Sequence, residues 1–299
     1  MTEPDQNVEA GDLDAYLERL GLDPEPPSAD ALDRLHRAQV ERVPYETVWI
    51  HQGLRWTADP GTALRRVAHD GRGGYCYHLN GALALLLGTL GYRVTRHVGG
   101  VHGPDGPAID SMTNHLVLRV HDLPDDDNPG GVWYVDAGLG DALHAPLPLV
   151  PGDYSQPPFR FSLDEIEDGV GNWHFAHDPA GSFTGMSFRS EAAPPGAFDV
   201  RHQFLSSSPE SGFVRVCTVQ RRTPRGVDIL RGRVFSAADG PVTTLDDPGA
   251  WFDLVADLGV RVADDPDHRD ALWARVTAAH EAHVAAPAEA EQAMAEEEP

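Results

Sequence analysis

Apolar residues recur every three to four positions along residues 12–20 (DLDAYLERL) and 28–39 (SADALDRLHRAQ), the spacing of one buried helical face. Ser28 follows Pro26 and Pro27, where a helix N-cap belongs. The pattern predicts two amphipathic helices at the start of the chain. A third apolar stretch, 79–90, follows RGGYCYHLN and stops at Gly91, as helices often stop at glycine. Cys76 therefore falls at or near the N-terminus of a third helix.

From Tyr92 onward the period shortens to two. Runs such as HLVLRV, VWYVDAG, NWHFAHD and SFTGMSF alternate apolar and polar residues between Gly, Pro and Asp clusters, which predicts an antiparallel sheet or barrel. Residues 213–220 and 226–235 read as further strands, and 250–258 and 267–280 as closing helices. The last residues, EAHVAAPAEAEQAMAEEEP, are rich in Glu and Ala and read as a frayed helix or a disordered acidic tail. The pattern thus predicts a helical first unit, a β-rich middle and an α/β closing unit.

With 299 residues, 41% of them hydrophobic, the chain can bury a substantial core. A formal net charge of -24 gives a long-range field of the wrong sign for nucleic acid or an anionic membrane surface. All 23 basic residues are arginine, which excludes Schiff-base chemistry, a phosphate-loop lysine and lysine general bases. No run approaches the ~20 apolar residues of a membrane span, and the acidic opening MTEPDQNVEAGDLD is unlike a signal peptide, so the expected compartment is the cytoplasm. Two cysteines, Cys76 and Cys217, allow neither a disulfide framework nor a cysteine-rich zinc site, and leave room for one bridge between them at most.

Cys76 combines a helix N-terminus, flanking glycines that permit close approach, and Arg72 four residues upstream, all features that favour a thiolate. A buried structural cysteine is the alternative for Cys76 and the expected role of Cys217, which lies mid-strand by pattern. A nucleophilic thiol needs an imidazole and a carboxylate to orient it. If 115–121 and 131–136 form a hairpin about DLPDDDNPG, in-step pairing puts His115 opposite Asp136, while Leu116, Leu118, Val120, Trp133 and Val135 share the other face. His78 is a weaker base, since helical geometry swings it away from the thiol. His97 and His102 lack a third ligand at metal-binding spacing. Gly138 and Gly140 read as a turn leaving a strand. The segment Arg221 to Arg233 is a basic cluster suited either to a phosphate or to a solvated hairpin.

The ordered set RGGYCYHLN, HLVLRV and WYVDAGLGDALHAPLPL resembles the arylamine N-acetyltransferase family, and the resemblance extends over roughly residues 11 to 262 through LDAYLERLGL, LDRLHRAQVERVPYETVWI, LLLGTLGYRV and SSSPESGF. It implies an α+β fold: a helical domain over 1–90 carrying the nucleophilic cysteine, an antiparallel β-barrel over 91–200 carrying His and Asp, an α/β lid over 201–280, and a tail over 281–299. Acetyl-coenzyme A, or another acyl-coenzyme A, would acylate Cys76 as a co-substrate, with no permanently bound cofactor and no metal. A small-molecule amine, aromatic in this family, would then take the acyl group.

The same resemblance implies Cys76 as nucleophile, His115 as general base and acid, and Asp136 as its partner. Arg72 and Glu46 correspond to an ion pair bracing the cysteine loop, and Tyr45, Tyr75, Val101, Leu139, Gly140 and Phe213 to positions lining the cleft. The chain departs from the family pattern at His78 (usually Glu), Thr47 in PYET (usually Asn), Asn114 (usually Thr) and Leu139 (usually Phe). Loss of an aromatic face at Leu139 predicts that small arylamines are poor acceptors. Two rival chemistries share the triad: an amide synthase using a carrier-bound thioester, and a thiol hydrolase passing the acyl group to water. The oligomeric state is left open.

Overall fold

The structure, a computed structural model, describes residues 8–296 except Asp168, with side chains described as far as residue 285. Helix α1 (Ala10–Leu20) buries Tyr16, Leu17 and Leu20, and α2 (Ala29–Arg42) buries Leu32, Leu35 and Val40. Both predicted helices are present, and Ser28 caps the second by accepting from Ala31 N at 3.1 Å. A two-residue strand β1 (Tyr45–Glu46), the short helices α3 (Val48–His51) and α4 (Pro60–Arg65), and a π-helical turn at Arg66–Asp70 lead to α5 (Cys76–Thr89). Helix α5 is apolar nearly all round. Leu79, Leu83, Leu86 and Leu87 are fully buried, each contributing about 1.5–3 kcal/mol by leaving water.

The middle of the chain forms an eight-stranded antiparallel sheet rolled into a nearly closed barrel. Its strands are β2 (Arg93–His102), β3 (His115–His121), β4 (Trp133–Val135), β5 (Leu147–Pro148), β6 (Gly152–Gln156), β7 (Phe159–Glu165), β8 (Trp173–Ala176) and β9 (Gly185–Ala192), in the spatial order β5-β4-β3-β2-β9-β8-β7-β6. Side chains link the two edge strands where no ladder does. Tyr154 OH donates to Pro148 O of β5 at 3.3 Å, and Gln156 Nε2 to Ala145 O, two residues before β5, at 2.9 Å. Phe161, Leu163, Phe175, Met186 and Phe188 fill the interior. Helix α5 packs against β2 and β3, which brings the cysteine helix onto the barrel wall.

After α6 (Asp199–Ser207) and α7 (Gly212–Arg215) comes a second sheet of β10 (Thr218–Thr223), β11 (Gly226–Arg231), β12 (Val234–Ser236) and β13 (Val242–Thr244). This sheet takes β1 as its first strand, pairing Tyr45 with Gln220 and Glu46 with Val219. An edge of the closing unit is thus supplied by the opening segment. The strand expected over 213–220 begins only at Thr218, because Ser211 Oγ accepts from Phe213 N at 3.2 Å and starts a helical turn that overrides the alternating pattern. Helices α8 (Pro248–Asp257) and α9 (Pro266–Glu296) close the chain, and α9 runs on through residues 281–296. Cys217 lies buried among Val48, Val219, Leu230 and Trp251 in this unit's core, the structural role expected of it, although it precedes the strand instead of lying within it.

Candidate active site

Cys76 is the first residue of α5 and is 3% exposed. The turn before it is held from several sides. Arg72 donates to Glu46 Oε1 at 3.1 Å through Nε and 2.9 Å through a terminal nitrogen, and to Gln52 Oε1 at 2.9 Å. Arg72 and Glu46 thus form the ion pair that the family resemblance implies, and the Arg72 guanidinium, which its spacing from Cys76 alone would offer to the thiol, is committed to Glu46 and Gln52. Glu46 N also donates to Gly74 O at 2.9 Å. Both charges of the pair are buried, so truncating either would cost about 3–5 kcal/mol by stranding the other. Gly74 has φ 126°, and a Cβ there would lie 2.6 Å from His78 Nδ1, so only glycine admits this turn.

His115 opens β3 and Asp136 follows β4. Their side chains meet: His115 Nε2 and Asp136 Oδ2 are 2.7 Å apart, both buried. The register differs from the one expected. Leu118 pairs with Val135 and Val120 with Trp133, which sets Asp136 two residues away from the position opposite His115. A shift of two preserves the face, so the residues are diagonal neighbours and still touch. Asp136 is further held by Tyr134 OH at 3.1 Å on Oδ2, and by Asn80 Nδ2 at 2.8 Å and Gly138 N at 3.0 Å on Oδ1.

Burial alone would strip His115 of its proton. The charges of Asp136 and Cys76, with hydrogen bonds to both, outweigh it and raise the imidazole to about 10. Because Nε2 faces Asp136, Nδ1 is the ring nitrogen left for Cys76. Cys76 Sγ also lies 3.7 Å from Asn114 O, which accepts from it only in the protonated thiol form. Gly138 closes the loop after Asp136 over the helix start, where a Cβ would fall 2.6 Å from Cys76 Cα.

Of the residues expected to line a cleft, Tyr75 and Phe213 have ring centroids 5.1 Å apart, and Tyr45 meets Phe213 edge-on at 6.2 Å. A Cβ on Gly140 would lie 3.6 Å from the Tyr45 ring. Val101 is tied to the residue preceding His115 through the Asn114 side chain, while Leu139 is buried in the barrel cluster with Tyr134, Ala142 and Leu143. His78 points away from the thiol into a box of Trp49, Trp56, Tyr75 and His202, and burial drives its pKa well below the usual histidine range.

Part of the basic cluster is engaged within the protein, while Arg225 and Arg231 are exposed about the β10–β11 hairpin, as the solvated-hairpin reading expects. Arg222 is buried against the carbonyls of Ala142, Gln156, Pro157 and Gly226, and Arg221, Arg225 and Arg233 pair with Asp228, Asp239 and Asp246. Among the residues not anticipated, Asn80 left one trace in the sequence: a polar side chain four residues after Cys76, on the same face of an apolar helix.

The N-acetyltransferase family model matches residues 28–250, three quarters of the chain. This chain belongs to the arylamine N-acetyltransferase family. Human arylamine N-acetyltransferase 1 is 29% identical over 241 residues, covering 74% of this chain and 81% of that protein. Arylamine N-acetyltransferase 2 of Macaca mulatta is 28% identical over 253 residues, covering 76% and 85%. Among solved structures, Mycobacterium marinum arylamine N-acetyltransferase in complex with CoA superposes with a TM-score of 0.76 at 26% identity, covering 89% of this chain and 99% of that one. The M. smegmatis enzyme gives 0.75 at 28% identity, covering 89% and 97%. Membership makes this chain an enzyme, and the arylamine N-acetyltransferase fold is the helix, barrel and α/β arrangement described above. Among the described residues, no helix is long and apolar enough to cross a membrane.

Proposed function

We propose that this arylamine N-acetyltransferase moves an acetyl or other short acyl group from acyl-coenzyme A to an aromatic amine through a thioester on Cys76. One observation carries this reading: His115, raised to about 10 by Asp136 and Cys76, stands between a buried carboxylate and a thiol at a helix N-terminus. The solved relative with CoA bound supports coenzyme A as the carrier of the donor acyl group. In this scheme residues 1–90 supply Cys76, 91–200 supply His115 and Asp136, and 201–280 close over them with Phe213.

In the first half-reaction Cys76 Sγ, its proton held by His115, attacks the donor carbonyl. The tetrahedral intermediate collapses with cleavage of the carbon–sulfur bond to coenzyme A, whose sulfur takes the proton from His115. In the second, the amine nitrogen attacks the Cys76 thioester and gives a proton to His115. Collapse then expels Cys76 sulfur and leaves the amide. Asp136 keeps the imidazole in the orientation that serves both steps.

Incubation with acetyl-coenzyme A and no amine, followed by mass spectrometry, tests the intermediate. One added acetyl mass on Cys76, cleared on adding an arylamine, is the expected result. An adduct that survives Cys76→Ala, or turnover to free acetate that no amine accelerates, would sink the proposal.

A further inference from the structure

Strand β3 pairs with β2 from Arg93↔His121 to Gly99↔His115 and stops there, although β2 continues to His102 against β9 on its other edge. Past that point the Val101 backbone is met by a side chain. Asn114 Oδ1 accepts from Val101 N at 2.8 Å, and Asn114 Nδ2 donates to Val101 O at 2.9 Å. A single primary amide thus makes both bonds that a residue in a hydrogen-bonded antiparallel pair would exchange.

With that pairing supplied by a side chain, the main chain is free to turn. Thr113 has φ 76°, a left-handed conformation that a β-branched residue rarely adopts, and Tyr77 OH donates to Thr113 O at 2.5 Å. The segment leading into His115 is therefore pinned on one side by the neighbour of Cys76 and on the other by β2. Between those anchors, Asn114 O faces the Cys76 thiol.

We propose that Asn114 is a positioning residue: by standing in for a strand residue opposite Val101, its amide sets His115 and the Asn114 carbonyl at the distance from Cys76 that acylation requires. The proposal rests on the reading of Cys76, His115 and Asp136 as the triad. It asks for no contact between Asn114 and the amine acceptor.

The test measures single-turnover acylation of Cys76 by acetyl-coenzyme A, at varied donor concentration, in Asn114→Ala, Asn114→Asp and Asn114→Thr, with His115→Ala alongside. Asp keeps an acceptor for Val101 N but sets a carboxylate against Val101 O, and Thr can make one of the two bonds. The expected order of maximal rates is Asn, then Thr, then Asp and Ala. Ala should be about 10- to 100-fold slow, with half-saturation by the donor within about threefold of wild type. Alkylation of Cys76 by iodoacetamide should fall in the same order. If Ala does not fold, the order of Asn, Thr and Asp decides. Equal maximal rates among folded variants, or a loss confined to donor half-saturation, overturns the proposal. Were His115→Ala also to acylate at the wild-type rate, the triad reading would fall and this proposal with it; a dead His115→Ala beside a wild-type Asn114→Ala would overturn the proposal alone.

Discussion

Asn80, one helical turn beyond Cys76, donates to Asp136 Oδ1 at 2.8 Å, so the helix that begins with the proposed nucleophile also holds the carboxylate. The same amide donates to Leu116 O at 2.6 Å and accepts from Ala137 N at 2.9 Å. One buried side chain therefore joins α5, β3 and the loop after β4, the three places from which Cys76, His115 and Asp136 come.

Asn80→Ala should leave the Ala137 N–H and the Leu116 carbonyl without this partner and remove one of the two donors to Asp136 Oδ1, costing about 2–4 kcal/mol of stability. Acylation of Cys76 should slow by about 10- to 100-fold, as losses of orienting contacts do. Urea unfolding and single-turnover kinetics check both figures. A variant as stable and as fast as wild type would show that Asn80 only fills space.

Gly138→Ala should be severely damaging, because the added Cβ would meet Cys76 Cα at 2.6 Å and must push the Asp136 loop off the helix. Gly88→Ala is the control. No atom lies within 4 Å of a Cβ there, and alanine in a helix is favoured over glycine by roughly 0.5–1 kcal/mol. Thermal midpoints should therefore move in opposite directions, and a neutral Gly138→Ala would mean that the loop stands further from Cys76.

Cys76 should be the one thiol that reacts with iodoacetamide in the folded protein. Cys217 is 1% exposed, and burial pushes its thiol well above the ordinary range. Peptide mapping after limited alkylation reads the site directly. Labelling of Cys217 at a comparable rate would contradict its packing among Val48, Val219, Leu230 and Trp251.

Stability should fall on both sides of near-neutral pH. A histidine in the unfolded chain titrates near 6.5. His115 keeps its proton in the fold up to about pH 10, so its contribution is complete below about 6.5 and is lost as pH rises through 10. His36 is driven down to about 4 by burial, so its contribution is complete above about 6.5 and is lost as pH falls toward 4. Asp136→Asn removes the larger of the two charges that raise His115 and should flatten the alkaline limb between pH 6.5 and 10, while the acid limb stays or steepens because burial of His115 is then less opposed. Thermal midpoints across pH 4–10 decide it, and an unchanged alkaline limb in Asp136→Asn would refute the coupling.

Much of this architecture is legible in the sequence. Helices α1, α2 and α5 follow from apolar spacing, the Ser28 cap and Gly91, because a helix records its buried face and its ends locally. The short helices α3 and α4 leave too few residues for a period to show. Helix α7 was hidden by an alternating apolar pattern that a local Ser211 cap overrides. Asn114 and Tyr134 gave no sign of their roles, since each acts on a partner brought near only by folding.

The sequence by itself determined which chemical groups exist and which face of each strand they occupy. Strand parity placed His115 and Asp136 on one face, and helix position placed Cys76 at a helix N-terminus. Only the tertiary structure decided the register. A slip of two residues leaves every side chain on its own face, so the apolar pattern cannot detect it, and the connection from Asp122 to Gly131, both at φ 64°, sets the offset. Tertiary structure also carried β1 into the closing sheet and gave Asn80 its hold on Asp136, because each depends on how separately formed elements pack and not on what any one of them encodes.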